Sequence, residues 1–124
     1  MEVTAVAERF TVKHWDDFER SGRWSLARRS LGLGSFGMNL VELEPDDRIP
    51  EHDETEREQE EVFIVIEGEA AFVIDGEEHA APAGTFARVD PKPTRTVVNR
   101  GRTRAKILIV SAPLSSGYAP PDWA

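Results

Sequence analysis

The chain has no cysteine, so a disulfide framework, a thiolate metal site and a cysteine nucleophile are all excluded, while the redox compartment stays undecided. Histidine is scarce as well, with three in the whole sequence: His14, His52 and His79. No apolar run reaches the roughly 18 residues that a membrane-spanning helix needs. No basic segment followed by an apolar one opens the chain, so a soluble cytoplasmic protein without a membrane partner is the default expectation. Basic residues are outnumbered, 15 against 23 acidic ones for a net charge of -8. A nucleic-acid partner is therefore not expected, because a phosphate backbone is held by clustered Lys and Arg. Arg28-Arg29 is too short for such a footprint. No Gly-x-Ser-x-Gly elbow, Cys-His pair or Ser-His-Asp order is present. Gly32-x-Gly34-x-x-Gly37 spells a dinucleotide fingerprint but lacks the buried strand before it and the helix after it.

What is present in these 124 residues is the pattern of one β domain. His14 to Ser21 is expected to make one helical turn ending at Gly22. Trp24 to Leu31 and Ser35 to Leu43 read as extended. Pro45-Asp46-Asp47 makes a turn, and the apolar run Val62 to Ile66 reads as a strand buried on both faces. Gly68 turns it back. Ala70 to Ile74 ends at Asp75-Gly76, a tight-hairpin signal because both residues tolerate positive φ. After a corner at Pro82-Ala83-Gly84, short strands follow over Thr85 to Val89, Arg95 to Val98 and Ala105 to Val110. Such spacing indicates an antiparallel sandwich or barrel. Its core is expected from Phe63, Phe72, Phe86, Ile64, Ile66 and Ile74, with Met38 and Asn39 on a strand facing the same interior and Trp24 capping it.

Charge is segregated along the chain. Glu42 to Glu61 is strongly acidic, whereas Arg88, Lys92, Arg95, Arg100, Arg102, Arg104 and Lys106 form a basic stretch. Cross-strand pairing explains this more economically than a basic patch for an anionic ligand.

The order of these motifs resembles the cupin superfamily. Glu61-x6-Gly68 fits the second half of the first cupin motif, and Gly76, Pro82, Gly84 and Asn99 stand at matching places in the second. The resemblance covers about residues 34 to 112. Leu33-Gly34-Ser35-Phe36-Gly37 and Pro50-Glu51-His52-Asp53-Glu54 further look like a group of small bacterial cupins without assigned activity. It implies an all-β fold, a cupin (double-stranded β-helix or jelly-roll) barrel, as a single domain. Its parts would be an N-terminal extension with strand or strands over 1-33, at the dimer contact, the barrel over 34-112 and a proline-rich tail over 113-124. It also implies a homodimer.

A typical cupin site uses three imidazoles and one carboxylate, a set suited to Fe, Mn, Zn, Ni or Cu. Here Arg95 occupies a histidine position, and a guanidinium cannot donate a lone pair. His14 precedes the barrel pattern and His79 lies in a polar hairpin. His52 and Glu61 remain as ligands by resemblance, and Glu54 joins them because residues 52 and 54 share a strand face. The spacer before Glu61 is longer than the pattern, which would lift His52 above its usual place. Read from the Glu61 end, Glu54 and Glu56 fall where the histidines should be. The preferred expectation is a bidentate Arg95–Glu61 ion pair in a barrel without a metal cofactor. His52, Glu54, Glu61 and Arg95 would then bind a small polar or anionic molecule at the mouth. The alternative is a metal-dependent oxygenase or isomerase using His52, Glu54 and Glu61.

Overall fold

A computed structural model describes residues 9–124. Two antiparallel sheets face each other, one with strand order β1-β2-β3-β9-β4-β7 and one with order β6-β5-β8. The six-stranded sheet is built from β1 (Arg20–Ser21), β2 (Trp24–Ser25), β3 (Gly37–Leu43), β4 (Gln59–Glu67), β7 (Phe86–Val89) and β9 (Ala105–Pro113). The second sheet holds β5 (Glu69–Ile74), β6 (Glu77–Pro82) and β8 (Arg95–Asn99). An extended segment from Asp46 to His52 runs antiparallel along the free edge of β8, through bridges at Arg48↔Val98 and His52↔Arg95.

The turn chemistry places these strands. Asp75 (φ 48°) and Gly76 (φ 80°) make the two-residue connection of the β5–β6 hairpin, since two consecutive positive φ values match the twist of the flanking strands. Gly68 (φ 86°) turns the chain from β4 into β5 where a Cβ would lie 2.9 Å from both Ala105 Cα and Arg104 O. No other residue fits both the angle and the space.

Between the sheets lies an apolar core of Val41, Leu43, Ile49, Phe63, Val65, Phe72, Val97 and Ile107 with their neighbours. The Phe63 and Phe72 rings meet at 6.1 Å and so join the two sheets through the middle. Asn99, fully buried, donates from Nδ2 to the carbonyls of Leu43 and Thr103 and accepts from Gly101 N–H, all at 2.8 Å. One side chain thereby ties together the ends of three segments.

Three expectations are corrected. First, Trp24 to Leu31 is not one extended segment: β2 ends at Ser25, and Ala27–Leu31 is an α-helix (α1). Gly32 (φ 71°) caps α1, with Leu33 N–H bonded to Arg28 O and Gly32 N–H to Arg29 O, the paired bonds of a glycine-terminated helix. Upstream, the expected helical turn contracts to a 3-10 turn at Trp15–Asp17 before β1 begins. Second, β4 is not buried on both faces. Its burial alternates, with Phe63 and Val65 inside and Val62, Ile64 and Ile66 half-buried on the outer face. Phe86, 67 % exposed and paired with Ile64, also faces out rather than joining the core. Third, Asn39 and Met38 lie on opposite faces because they are adjacent in β3. Asn39 pairs with Ile109, which packs on the core, so Met38 belongs to the outside.

The acidic and basic segments pair across strands. Arg88 contacts Glu60 and Asp90, Arg100 contacts Glu78, and Arg104 contacts Glu42 and Glu44. Lys106 instead sits 3.6 Å over the Trp15 ring.

Candidate functional site

The site forms where the edge segment crosses the end of β8. His52 and Arg95 exchange both backbone hydrogen bonds, His52 N–H to Arg95 O at 3.1 Å and the reverse at 2.8 Å. Directly opposed residues of an antiparallel pair project from the same face. Ile74, opposite Arg95 on its other side and packed on the core, shows that this face is the interior. Glu61 reaches the same space from β4 on the facing sheet.

The extra residues between His52 and Glu61 are absorbed locally. Thr55 N–H and Oγ1 bond Asp53 Oδ1, Glu58 takes φ 50°, and Gln59 N–H returns to Glu54 O at 3.2 Å. The surplus loops out at 55–58, and His52 is not lifted away: its Nε2 stands 3.2 Å from Glu54 Oε2 and 3.5 Å from Glu61 Oε1. Glu56 is exposed and outside the cluster, so the shifted Glu54–Glu56 reading fails. His79 is half-exposed in its polar hairpin, and His14 is exposed before the barrel.

Arg95 and Glu61 meet, but through one loose contact and not as the expected bidentate pair. Arg95 Nε lies 3.6 Å from Glu61 Oε1, with their side chains 1 % and 9 % exposed. Arg95 Nη2 donates to the Asp90 carbonyl. Arg95 Nε, Arg95 Nη1 and Glu61 Oε1 are buried without a hydrogen-bond partner. Burial pushes the Glu61 carboxyl above its ordinary range and the neighbouring Glu54 charge adds to this, against the opposing pull of Arg95 and His52. Buried polar atoms in this state call for a partner such as a water, an ion or a bound molecule.

The donor set also fits a divalent cation. One ligand atom each from His52, Glu54 and Glu61 lies within 4.8 Å of the others. His52 Nδ1 is 3.0 Å from Pro50 O; donating its proton there leaves Nε2 with a free lone pair aimed at the two carboxylates. That is the tautomer and bracing of a metal-binding imidazole. Arg95 supplies charge beside such an ion but no bond to it.

The sequence reasoning missed a cavity that shares the Glu61 face of the sheet. It is about 470 Å³, lined by Arg28, Arg57, Asn39, Gln59 and Ser111 among others. The signal available was parity: Gln59 shares the Glu61 face of β4, and Ser111 lies opposite Glu61 on β9.

The model of the "Cupin domain" family matches residues 39–111. No curated protein matches the chain. Among solved structures, a cupin protein from Bacteroides fragilis superposes with a TM-score of 0.76 at 18 % identity, covering 92 % of each chain. A sugar phosphate isomerase of the cupin superfamily from Silicibacter pomeroyi shares 30 % identity over 72 % of this chain and 57 % of its own, with a TM-score of 0.63. A predicted oxalate decarboxylase from Thermotoga maritima gives 0.64 at 19 % identity, over 73 % and 79 % of the two chains. With the family model matching more than half of the chain and a two-sheet barrel built around the matched segment, this chain belongs to the cupin family.

Proposed function

We propose that this cupin binds a small polar or anionic molecule at the barrel mouth, with His52, Glu54, Glu61 and Arg95 as its contacts. The observation that carries this reading is the buried Arg95–Glu61 contact with three polar atoms lacking hydrogen-bond partners. Half-buried His52 and Glu54 connect it to the surface. A bound acid or hydroxyl-rich molecule supplies the missing partners. The interior beyond is filled by Phe63 and Phe72, so the molecule sits in the mouth rather than deep in the barrel.

The convergence of His52, Glu54 and Glu61 favours a second reading. A divalent ion held by these three would polarise an oxygen of the bound molecule. Incubation with Mn²⁺ or Zn²⁺, desalting and elemental analysis decide between them. No retained metal in wild type leaves the metal-free binder. Stoichiometric metal, lost in His52→Ala, establishes the metal centre.

The chain also acts as a homodimer on this proposal, through the outer face of the six-stranded sheet. Register aligns Met38, Val110 and Val62 in one row and Leu108, Ile64 and Phe86 in the next, while Leu40 beside Leu108 is already buried within the chain. Four strands of this length span about 20 by 25 Å, some 500 Å², and Tyr118 and Phe36 beside them widen the patch. That approaches the roughly 800 Å² per partner of a standard interface, and the rows at its centre are apolar, as a two-fold contact between copies favours. A monomer mass in sedimentation equilibrium at micromolar concentration would overturn it. No helix among the described residues is long and apolar enough to cross a membrane, and a cytoplasmic site of action completes the proposal.

A further inference from the structure

The cavity on the Glu61 face of the sheet differs in charge from the rest of the molecule. The chain carries an excess of acid, 23 against 15, yet none of the residues lining this space of about 470 Å³ is an Asp or Glu. Two are arginines, Arg28 from α1 and Arg57 from the 55–58 loop. Seven of the twelve arginines stand against a carboxylate: Arg20, Arg23, Arg29, Arg88, Arg95, Arg100 and Arg104. Among the described residues neither Arg28 nor Arg57 forms such a pair; Arg28 makes one bond, from Nη1 to Leu33 O at 3.2 Å. The corrected secondary structure brings them together, since α1 and the looped-out spacer each contribute one of them to the lining of the same cavity.

Strand register places part of the cavity lining on the sheet face that carries Glu61. Gln59 lies on the Glu61 side of β4, Ser111 is opposite Glu61, and Gly37 is opposite Ser111. Asn39 follows Gly37 on the same face. At Gly37 a Cβ would fall 2.5 Å from Ser111 Oγ, so the absence of a side chain there keeps the hydroxyl in place at the cavity floor.

We propose that this cavity is an oxyanion subsite. Arg28 and Arg57 seat the carboxylate or phosphate group of a small molecule, with Asn39, Gln59 and Ser111 as neutral partners, and the remainder of that molecule extends to His52, Glu54 and Glu61. Guanidinium groups without carboxylate partners are the donors best matched to such an anion. The assignment rests on the mouth cluster being the binding centre, and the experiment separates the two.

The full chain, isotope-labelled, is titrated with inorganic phosphate and separately with acetate at constant ionic strength held with chloride. The Arg Nε–H signals, the Asn39 and Gln59 amides and the His52 ring are followed by NMR. Saturable shifts at Arg28 and Arg57 are expected, with affinity falling about tenfold in R28Q or R57Q, and largely recovering in R28K. The tighter of the two anions identifies the group. Absence of saturable shifts, or equal affinity in the R28Q/R57Q double variant, overturns the subsite. Glycerol 3-phosphate is the linking probe: shifts at both arginines and at His52 support the whole assignment. Shifts at the arginines alone keep the subsite and remove the mouth cluster from it, whereas a His52 response without an arginine response keeps the mouth and sinks the subsite.

Discussion

Replacing Arg95 by methionine tests whether the buried ion pair is the organising contact of the mouth. Methionine keeps the long unbranched shape and removes the charge. At 3.6 Å two unit charges attract by about 4–5 kcal/mol at an effective dielectric constant near 20. Deleting one member of a buried pair typically costs about 3–5 kcal/mol, because the other is left uncompensated. Half-exposed His52 and Glu54 let water approach Glu61, so the low end, about 3 kcal/mol, is expected for R95M. Glu61→Leu alone strands the guanidinium and costs a similar amount. The double variant R95M/E61L removes both charges and is expected within about 1 kcal/mol of wild type, or above it. Urea unfolding followed by circular dichroism, with slopes compared to verify two-state behaviour, measures all four corners of the cycle. A double variant whose loss equals the sum of the single losses would refute the reasoning, since additive costs mean that the side chains do not act as a pair.

Other outcomes follow from the same geometry. Glu61 holds its proton to higher pH when folded than when unfolded, so the native state binds more protons just above the ordinary value of 4.5. Its contribution to stability therefore falls as pH rises through that window, and the urea midpoint of E61Q should vary less with pH than wild type there. Gly68→Ala combines a positive φ with a contact of 2.9 Å to backbone and should cost about 2–4 kcal/mol in the same unfolding assay. Asn99→Ala leaves two carbonyls and one N–H without their side-chain partner around a fully buried residue; a loss of about 3 kcal/mol is expected, with hydrogen exchange quickening at the Gly101 amide.

Much of the barrel was legible because its corners depend on local chemistry. Asp75-Gly76, Gly68 and Pro82-Ala83-Gly84 need nothing distant to become turns, and the strands between them are fixed by those ends. The helix α1 escaped detection because five residues carry too little periodicity. Only its stop, Gly32, was written plainly, and the tertiary contacts that hold it were not. Val62 to Ile66 misled for the opposite reason: an apolar outer face gives a sheet with one covered side the signature of a strand buried on both. At the site, Glu61 and Arg95 were found from their places within strands. His52 was misplaced by counting residues, since a loop hides surplus length that strand register does not feel. Arg28 and Arg57 are 29 positions apart by number and share a cavity only once the helix and loop are in place.

The backbone bridge between His52 and Arg95 makes the side chains at these positions exchangeable parts on a fixed mount. Both amide bonds of the bridge belong to the main chain, so imidazole, guanidinium or carboxylate can occupy either position while the Cα spacing stays as it is. A lineage carrying this barrel can thus pass between metal-holding and charge-holding sites by single codon changes, without refolding through an intermediate architecture. For an engineer the same mount offers two adjacent, rigid attachment points facing a third, Glu61, on the opposite wall.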